Sequence, residues 1–265
     1  MCGIIGIVSK KQVVDRLVSG LERLEYRGYD SSGVATINNL KIAYTKSTGK
    51  LNSLKKKLKY ESSDGLVGIG HTRWATHGEP TEINAHPHVT KNVALVHNGI
   101  IENFAKFRDE LLKKGISFNS QTDTEVIVKL VEEKISQENF QHLEAVQQVV
   151  KKLQGSFALC LIFRGVENLM IATRRGSPLA LGFGEGENFV SSDATSLSIF
   201  SKKICYLEEG DIAVITPEKI KIFDSSGISV RRDIRVINMD PVTLSKGKYK
   251  HFMEKEIFEQ PEVIS

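Results

Sequence analysis

Cysteine is scarce in this sequence, with three in 265 residues, and there is a single tryptophan. Cys2, Cys160 and Cys205 are odd in number and form no C-x-x-C pair, which argues against a disulfide framework and a cysteine zinc site. No apolar run is long enough to cross a bilayer, and no basic patch followed by an apolar segment opens the chain as a signal peptide would. Membrane association is therefore not expected, and the cytoplasm is the expected compartment. Both nucleotide fingerprints, the G-x-x-x-x-G-K-[ST] loop and a strand-linked G-x-G-x-x-G, are missing, so no nucleotide cofactor is expected. The formal charge is only +4. The lysines are spread out apart from Lys55, Lys56, Lys57 and Lys59 and a group near the C-terminus; the first reads as a solvated helix face with no aromatic stacking platform beside it, so nucleic acid is not an expected partner.

What is present alternates between strand and helix signals. Residues 3–8 read as a buried strand, and Val13, Val14, Leu17, Val18, Leu21 and Leu24 recur at helical spacing. Strands are predicted near 33–38, 41–46, 66–72 and 92–97, and helices over 50–59, 102–114, 123–136 and 140–153. Beyond 156 come short strands separated by Gly, Pro and Asp turns, near 156–163, 167–172, 179–183, 188–191, 203–207, 211–216, 219–223 and 228–237. This order predicts an α+β fold of stacked sheets under helical layers. A domain over 1–240 is expected. Residues 241–265 are polar, then helical through Phe252, Met253 and Ile257 until Pro261, and read as the start of a connector to further domains.

Four segments carry chemistry. Cys2 follows Met1, and methionine aminopeptidase removes Met1 when the next residue is small. A terminal cysteine then holds a thiol nucleophile and an α-amine that titrates near ~7.7–8.0 in one residue, so the amine can take the thiol proton. The ordinary alternative is a buried thiol without a role. The run His71-Thr-Arg-Trp-Ala-Thr-His-Gly78 follows a strand. Arg73 has the fork geometry to grip a carboxylate, and Trp74 is placed to cover a site, although an exposed Arg beside a core Trp is the plainer reading of either alone. Asn98-Gly99 is the commonest tight hairpin turn, and standing alone it reads as one; its other reading is an oxyanion hole. Thr122 with Glu125 spells a helix capping box, in which Asp123 favours the helix dipole; alternatively Asp123 receives a substrate ammonium. An Arg and an Asp facing one pocket would select a free α-amino acid. Five of seven histidines lie between 71 and 97, but not at zinc-binding spacing, so no metal is expected; a histidine acting as base for a papain-like cysteine is the remaining alternative.

Taken together, these segments resemble the class II glutamine amidotransferases of the N-terminal nucleophile hydrolase group. The matching runs are Met1–Gly6, Leu24–Gly33, His71–Pro80, Asn84–His88, His97–Gly99, Thr122–Glu125 and His251–Ile257, so the resemblance spans the chain. Within the group it is nearest to the glutaminase domains of glutamine–fructose-6-phosphate aminotransferases, with the glutaminase half of amidophosphoribosyltransferase as runner-up and asparagine synthetase further off. The resemblance implies a four-layer αββα sandwich. It implies that Cys2 attacks the side-chain amide of L-glutamine and that Asn98 and Gly99 stabilise the oxyanion. Arg27 and Gly28 would hold the nucleophile end of the site. Arg73 would take the α-carboxylate and Asp123 the α-ammonium, with Thr76, Trp74, His77 and His86 around them. It also implies C-terminal isomerase domains as partners in a full-length protein, and allows a homodimer formed through that protein. Retention of Met1 would instead leave an inactive regulatory domain with the same fold.

Overall fold

The computed structural model describes residues 2–61, 64–137, 140–237, 249 and 252–264. The chain opens with β1 (Gly3–Ser9), α1 (Val14–Glu22), a single 3₁₀ turn at Glu25–Arg27, β2 (Ser31–Asn38), β3 (Lys41–Thr48), α2 (Leu51–Leu58) and β4 (Val67–Arg73). It continues through β5 (His88–Val89), β6 (Val93–Ile101), α3 (Phe104–Lys113), α4 (Asp123–Gln137), α5 (His142–Val150), β7 (Gly155–Phe163) and β8 (Met170–Arg175). The remainder is β9 (Ala180–Phe183), β10 (Glu187–Ser191), α6 (Ala194–Leu197), β11 (Lys203–Tyr206), β12 (Ile212–Ile215), β13 (Ile220–Phe223), β14 (Ser229–Val230), β15 (Arg235–Val236) and α7 (Phe252–Ile264).

The strands form an eight-stranded sheet, ordered β15-β11-β9-β10-β1-β4-β2-β3, and a seven-stranded sheet, ordered β14-β13-β12-β8-β7-β6-β5. The pairings within both are antiparallel. Period-two alternation explains how they stack. In β1, Ile4 and Val8 join the core between the sheets, whereas Ile5 and Ile7 face α1 and the residues of α2. In β7, Ala158, Cys160 and Ile162 point into the same inter-sheet core, and Phe157, Leu159, Leu161 and Phe163 point at α4 and α5. Small residues line much of the central gap and large ones pack under the helices. The result is the expected αββα order: helices, eight strands, seven strands, helices.

Several expectations are corrected. The strand predicted to end at 97 runs on to Ile101, so Asn98-Gly99 is not a hairpin turn but a paired stretch of β6. Register with β7 holds the chain extended there, and Gly99 takes a φ of 128°, which its missing side chain permits. The run 228–237 splits into β14 and β15, which belong to different sheets. Helix α7 does not halt at Pro261 but reaches Ile264. Of the expected connector, residues 241–248, 250, 251 and 265 lie outside the described residues, as do the boundary at 240 and Met1. Among the described residues no helix is long and apolar enough to cross a membrane.

Candidate active site

The site lies at one end of the gap between the two sheets, and strand periodicity puts it there. Cys2 precedes β1 on the same face as Ile4. The last residues of β4 continue the inward series Val67 and Ile69 to His71 and Arg73, while β6 continues Ala94 and Val96 to Asn98. Apolar side chains fill the middle of the gap, and polar ones replace them at its rim.

Cys2 Sγ accepts the Trp74 N–H at 3.2 Å and lies 3.5 Å from the Trp74 carbonyl oxygen. Burial pushes its thiol above the ordinary value, the Trp74 N–H and the Arg73 charge pull it down, and Asp30 pushes it up again. The net upward shift means that the thiol needs a base before it can attack. The Cys2 carbonyl accepts from Asn98 Nδ2 at 3.2 Å and from Arg27 Nη1 at 3.4 Å. Arg27 is itself held by an ion pair to Asp193 at 3.0 Å and by its hydrogen bond to Tyr26, whose hydroxyl also bonds to Asp193. Gly28, at φ 76°, leaves room for the indole: a Cβ there would stand 2.7 Å from the Trp74 ring. A cavity of about 730 Å³ opens over this arrangement, lined by Cys2, Arg27, Trp74, Thr76, Asn98, Gly99, Ile100, Ser177 and Pro178. Trp74, 54% exposed, stands at its mouth. A groove of the same size between α1 and α2 brings no cysteine or histidine to its lining.

Behind Cys2 a narrow cleft of about 20 Å³ is lined by Arg73, Thr76, His77, His86, His97, Thr122, Asp123 and Thr124, together with Cys2, Trp74 and Gly99. Every side chain singled out as a substrate contact meets this cleft or the outer cavity. Their hydrogen bonds show what holds them. The Arg73 guanidinium donates to the carbonyls of His77 at 2.6 Å, Gly78 at 3.3 Å and Glu79 at 3.2 Å, and faces Asp30 at 3.9 Å. Arg73 thereby also braces the 77–79 loop. Asp123 opens α4, and its Oδ2 accepts the Ile101 N–H at 2.9 Å. Its other oxygen lies 3.4 Å from the Thr124 hydroxyl, which in turn bonds His86 Nε2 and His97 Nδ1, each at 2.9 Å. His77 stands edge-on to Phe104 at 5.2 Å. Only half of the capping box forms: the Glu125 N–H reaches Thr122 Oγ1 at 3.3 Å, but the Glu125 carboxylate turns to the Asn119 and Ser120 N–H groups instead.

Sequence reasoning assigned no role to Asp30, Thr124, Tyr26 or Asp193. Asp30 and Tyr26 lie inside the motif Leu24–Gly33, which was the available signal. Asp193 lies past the end of β10 as the N-cap of α6, and nothing local marks it as a partner of Arg27. The histidines form a buried group: the rings of His71 and His86 lie 4.3 Å apart, and those of His86 and His88 4.9 Å apart. Burial pushes His71 down to about 3 and His86 and His88 well below their ordinary value; it lowers His97 as well, against the pull of Asp123. They are neutral imidazoles. Among the described residues no three His, Cys, Asp or Glu side chains group so as to hold a metal ion.

Comparison with known proteins bears on the family to which the fold is similar. The family described as a glutamine amidotransferase domain matches residues 71–198. The chain is 52% identical, over all 265 residues, to glutamine–fructose-6-phosphate aminotransferase [isomerizing] of Mesorhizobium japonicum, and 51% identical to that of Bartonella quintana. It spans 44% of the length of each of these relatives. Among solved structures, the glutamine phosphoribosylpyrophosphate amidotransferase of B. subtilis superposes with a TM-score of 0.75 over 87% of this chain and 50% of its own. At 23% identity that likeness shows a shared fold alone. The chain thus carries a glutamine amidotransferase domain and is similar over its whole length to the part of the glutamine–fructose-6-phosphate aminotransferases that it spans.

Proposed function

We propose that this chain hydrolyses the side-chain amide of L-glutamine to glutamate and ammonia, with Cys2 as nucleophile once Met1 has been removed. One observation carries the reading. Cys2, its sulfur pinned by the Trp74 N–H at 3.2 Å, lines both the cavity that Asn98 and Gly99 border and the cleft that Arg73 and Asp123 border. Those are the parts an amide hydrolase for a free α-amino acid needs.

The steps follow from the parts. The freed α-amine of Cys2 takes the thiol proton, and the thiolate attacks the amide carbon. The Asn98 amide and the Gly99 N–H receive the oxyanion, in a site where preorganised donors are worth most. The tetrahedral adduct collapses as the amine returns the proton to nitrogen, releasing ammonia and leaving a γ-glutamyl thioester. Water, deprotonated by the same amine, cleaves the thioester to glutamate. Arg73 takes the substrate carboxylate and Asp123 its ammonium. Thr76, His77 and His86 shape the wall, and Trp74, bedded on Gly28, covers the mouth. Arg27 fixes the Cys2 carbonyl. No metal or cofactor enters the scheme.

In a longer protein of the relatives' kind, the ammonia passes to fructose 6-phosphate held by C-terminal isomerase domains, yielding glucosamine 6-phosphate. Residues 1–240 form the amidotransferase domain and 241–265 the start of the connector, and the cytoplasm is the compartment. The names of the relatives, and their length of more than twice this chain, support the transfer of ammonia to further domains.

The test is glutamate release from glutamine by purified chain whose Met1 state is known from mass spectrometry. Trimmed chain turns over; Cys2→Ala, equally folded, does not. Wild-type turnover by Cys2→Ala, or none by trimmed wild type, overturns the assignment and favours a regulatory domain that keeps the fold.

A further inference from the structure

We infer that His71 is a positioning residue that sets which atom of the Asn98 side-chain amide faces the nucleophile. This rests on the glutaminase reading above.

His71 is fully buried on β4 of the eight-stranded sheet, and Asn98 stands opposite on β6 of the seven-stranded sheet. His71 Nε2 lies 2.9 Å from Asn98 Oδ1 and 3.0 Å from the His97 carbonyl oxygen. Both are acceptors with no hydrogen to give, so Nε2 must carry the proton and donate to them. Nδ1 has no partner among the described residues, which fits a bare acceptor nitrogen, and burial keeps the ring neutral. The tautomer is fixed from both sides.

That N–H in turn fixes Asn98. With Oδ1 held by His71, Nδ2 must point the opposite way, where it donates to the Cys2 carbonyl at 3.2 Å and keeps a second hydrogen for the cavity. An amide rotated by half a turn would aim a lone pair at the Cys2 carbonyl and at the developing oxyanion. Asparagine has no intrinsic preference between the two orientations, since its oxygen and nitrogen are nearly the same size. Something must choose, and His71 is the donor placed to do it. Other groups of the histidine cluster leave the choice untouched: His86 and His97 spend their contacts on Thr124, and His88 bonds Thr122 Oγ1 at 3.0 Å.

The experiment compares three variants of Met1-trimmed chain in glutamine hydrolysis. Phenylalanine keeps the ring volume and removes the donor. Glutamine places an amide N–H near the Nε2 position, whereas asparagine reaches only the Nδ1 position. Losing an oxyanion donor costs about 10²–10³ in kcat, and misorienting one is expected to cost about 10- to 100-fold. His71→Phe and His71→Asn should show that loss in kcat with KM within about twofold, and His71→Gln should recover to within about threefold of wild type. Affinity for the γ-aldehyde analogue of glutamine, which forms a tetrahedral adduct with a thiol, should fall with kcat, while glutamate affinity stays. A merely structural histidine would give equal damage in the Gln and Asn variants. Equal damage in those two, wild-type kcat in His71→Phe or His71→Asn, or a loss confined to KM overturns the assignment. If His71→Phe does not fold, the Gln–Asn pair still decides. Wild-type chain without turnover sinks the glutaminase reading, and this one with it; active wild type with indifferent variants sinks this one alone.

Discussion

Lowering the pH from 7.5 to 5.5 should cost this protein a large part of its stability, because it buries neutral histidines. His71, His86 and His88 each have a folded-state pKa held well below the ordinary 6.5, with burial as the main cause. The positive charge of Arg73 works in the same direction on all three, and Lys46 adds to it at His88. The sign follows from linkage. Below pH 6.5 the unfolded chain binds a proton at each of these sites and the folded chain does not, so stability present above pH 6.5 is lost as pH falls toward the folded values, about 3 for His71. Each histidine with a free pKa near 6.5 forfeits about 0.4 kcal/mol at pH 6.5 and about 1.4 kcal/mol at pH 5.5. The three together lose about 4 kcal/mol by pH 5.5, against a total stability of about 5–15 kcal/mol for an ordinary domain. His97 adds less, since Asp123 favours its charged form. The carboxylates whose pKa values are held low, Glu125, Glu132, Glu187 and Asp193, titrate in the opposite part of the range, so the window from pH 5.5 to 6.5 isolates the imidazoles. Urea unfolding followed by circular dichroism at pH 7.5, 6.5 and 5.5 measures the loss. His88→Gln keeps a donor near Thr122 Oγ1 and should remove about a third of the pH dependence. A wild-type loss below about 1 kcal/mol over that window, or an unchanged slope in His88→Gln, would show that these rings are not held neutral by the fold.

Gly99→Ala should cost at least about 2–3 kcal/mol, because its backbone sits at φ 128° and a Cβ would meet the Ser156 carbonyl oxygen at 2.0 Å; a urea midpoint within error of wild type would contradict the geometry. Thr124→Val keeps the shape but strips the hydroxyl shared by His86, His97 and Asp123. Two buried imidazoles lose their partner, for about 2–4 kcal/mol of stability. KM for glutamine should rise about three- to tenfold with kcat nearly kept, which steady-state kinetics would check. Arg73→Ala should raise KM for glutamine chiefly, and should also lower stability by about 2–3 kcal/mol, because three carbonyls of the 77–79 loop lose their donor. An unchanged KM would remove Arg73 from the carboxylate clamp, and an unchanged melting temperature would show that the loop stands without it.

What was legible in the sequence was what depends on near neighbours. The inward and outward alternation of β1 and β7 can be read from Ile4 to Val8 and from Phe157 to Phe163 without knowing which strand lies beside them. So can the helices, whose apolar faces repeat at their own period. Cys2, Arg73 and Asp123 were candidates because their chemistry is intrinsic (a thiol beside an amine, a guanidinium, a carboxylate at a helix start), but each alone read more plainly as structural, and the other site residues were named only through the resemblance of the whole set of motifs. Asn98-Gly99 marks the border of that method. By local preference the pair is a turn, yet β7 pairs with it residue for residue as far as Gly155, and a partner about sixty positions away outvotes the dipeptide. The run at 228–237 shows the same limit, since its two halves pair with β13 and β11 in separate sheets.

The site is where this matters most, because its working contacts join elements that have no sequence relation to each other. Cys2 meets Trp74 and Asn98, Arg27 meets Asp193, and His71 meets Asn98 across the gap between the sheets. The strands are hydrophobic through their middles and polar at one end, and stacking two such sheets brings the polar ends together whatever residues they hold. A gap between sheets thus turns a property each strand carries by itself into a pocket that no strand encodes alone. It also accounts for the histidines. At the rim, side chains are too buried to be solvated and too polar to be core. A neutral imidazole can fix the direction of an amide or hydroxyl there without the cost of burying a charge. Their clustering between 71 and 97, which in sequence invites a metal, follows from β4 and β6 running toward the same rim and β5 starting near it at His88, with His77 and His86 on the segment between β4 and β5.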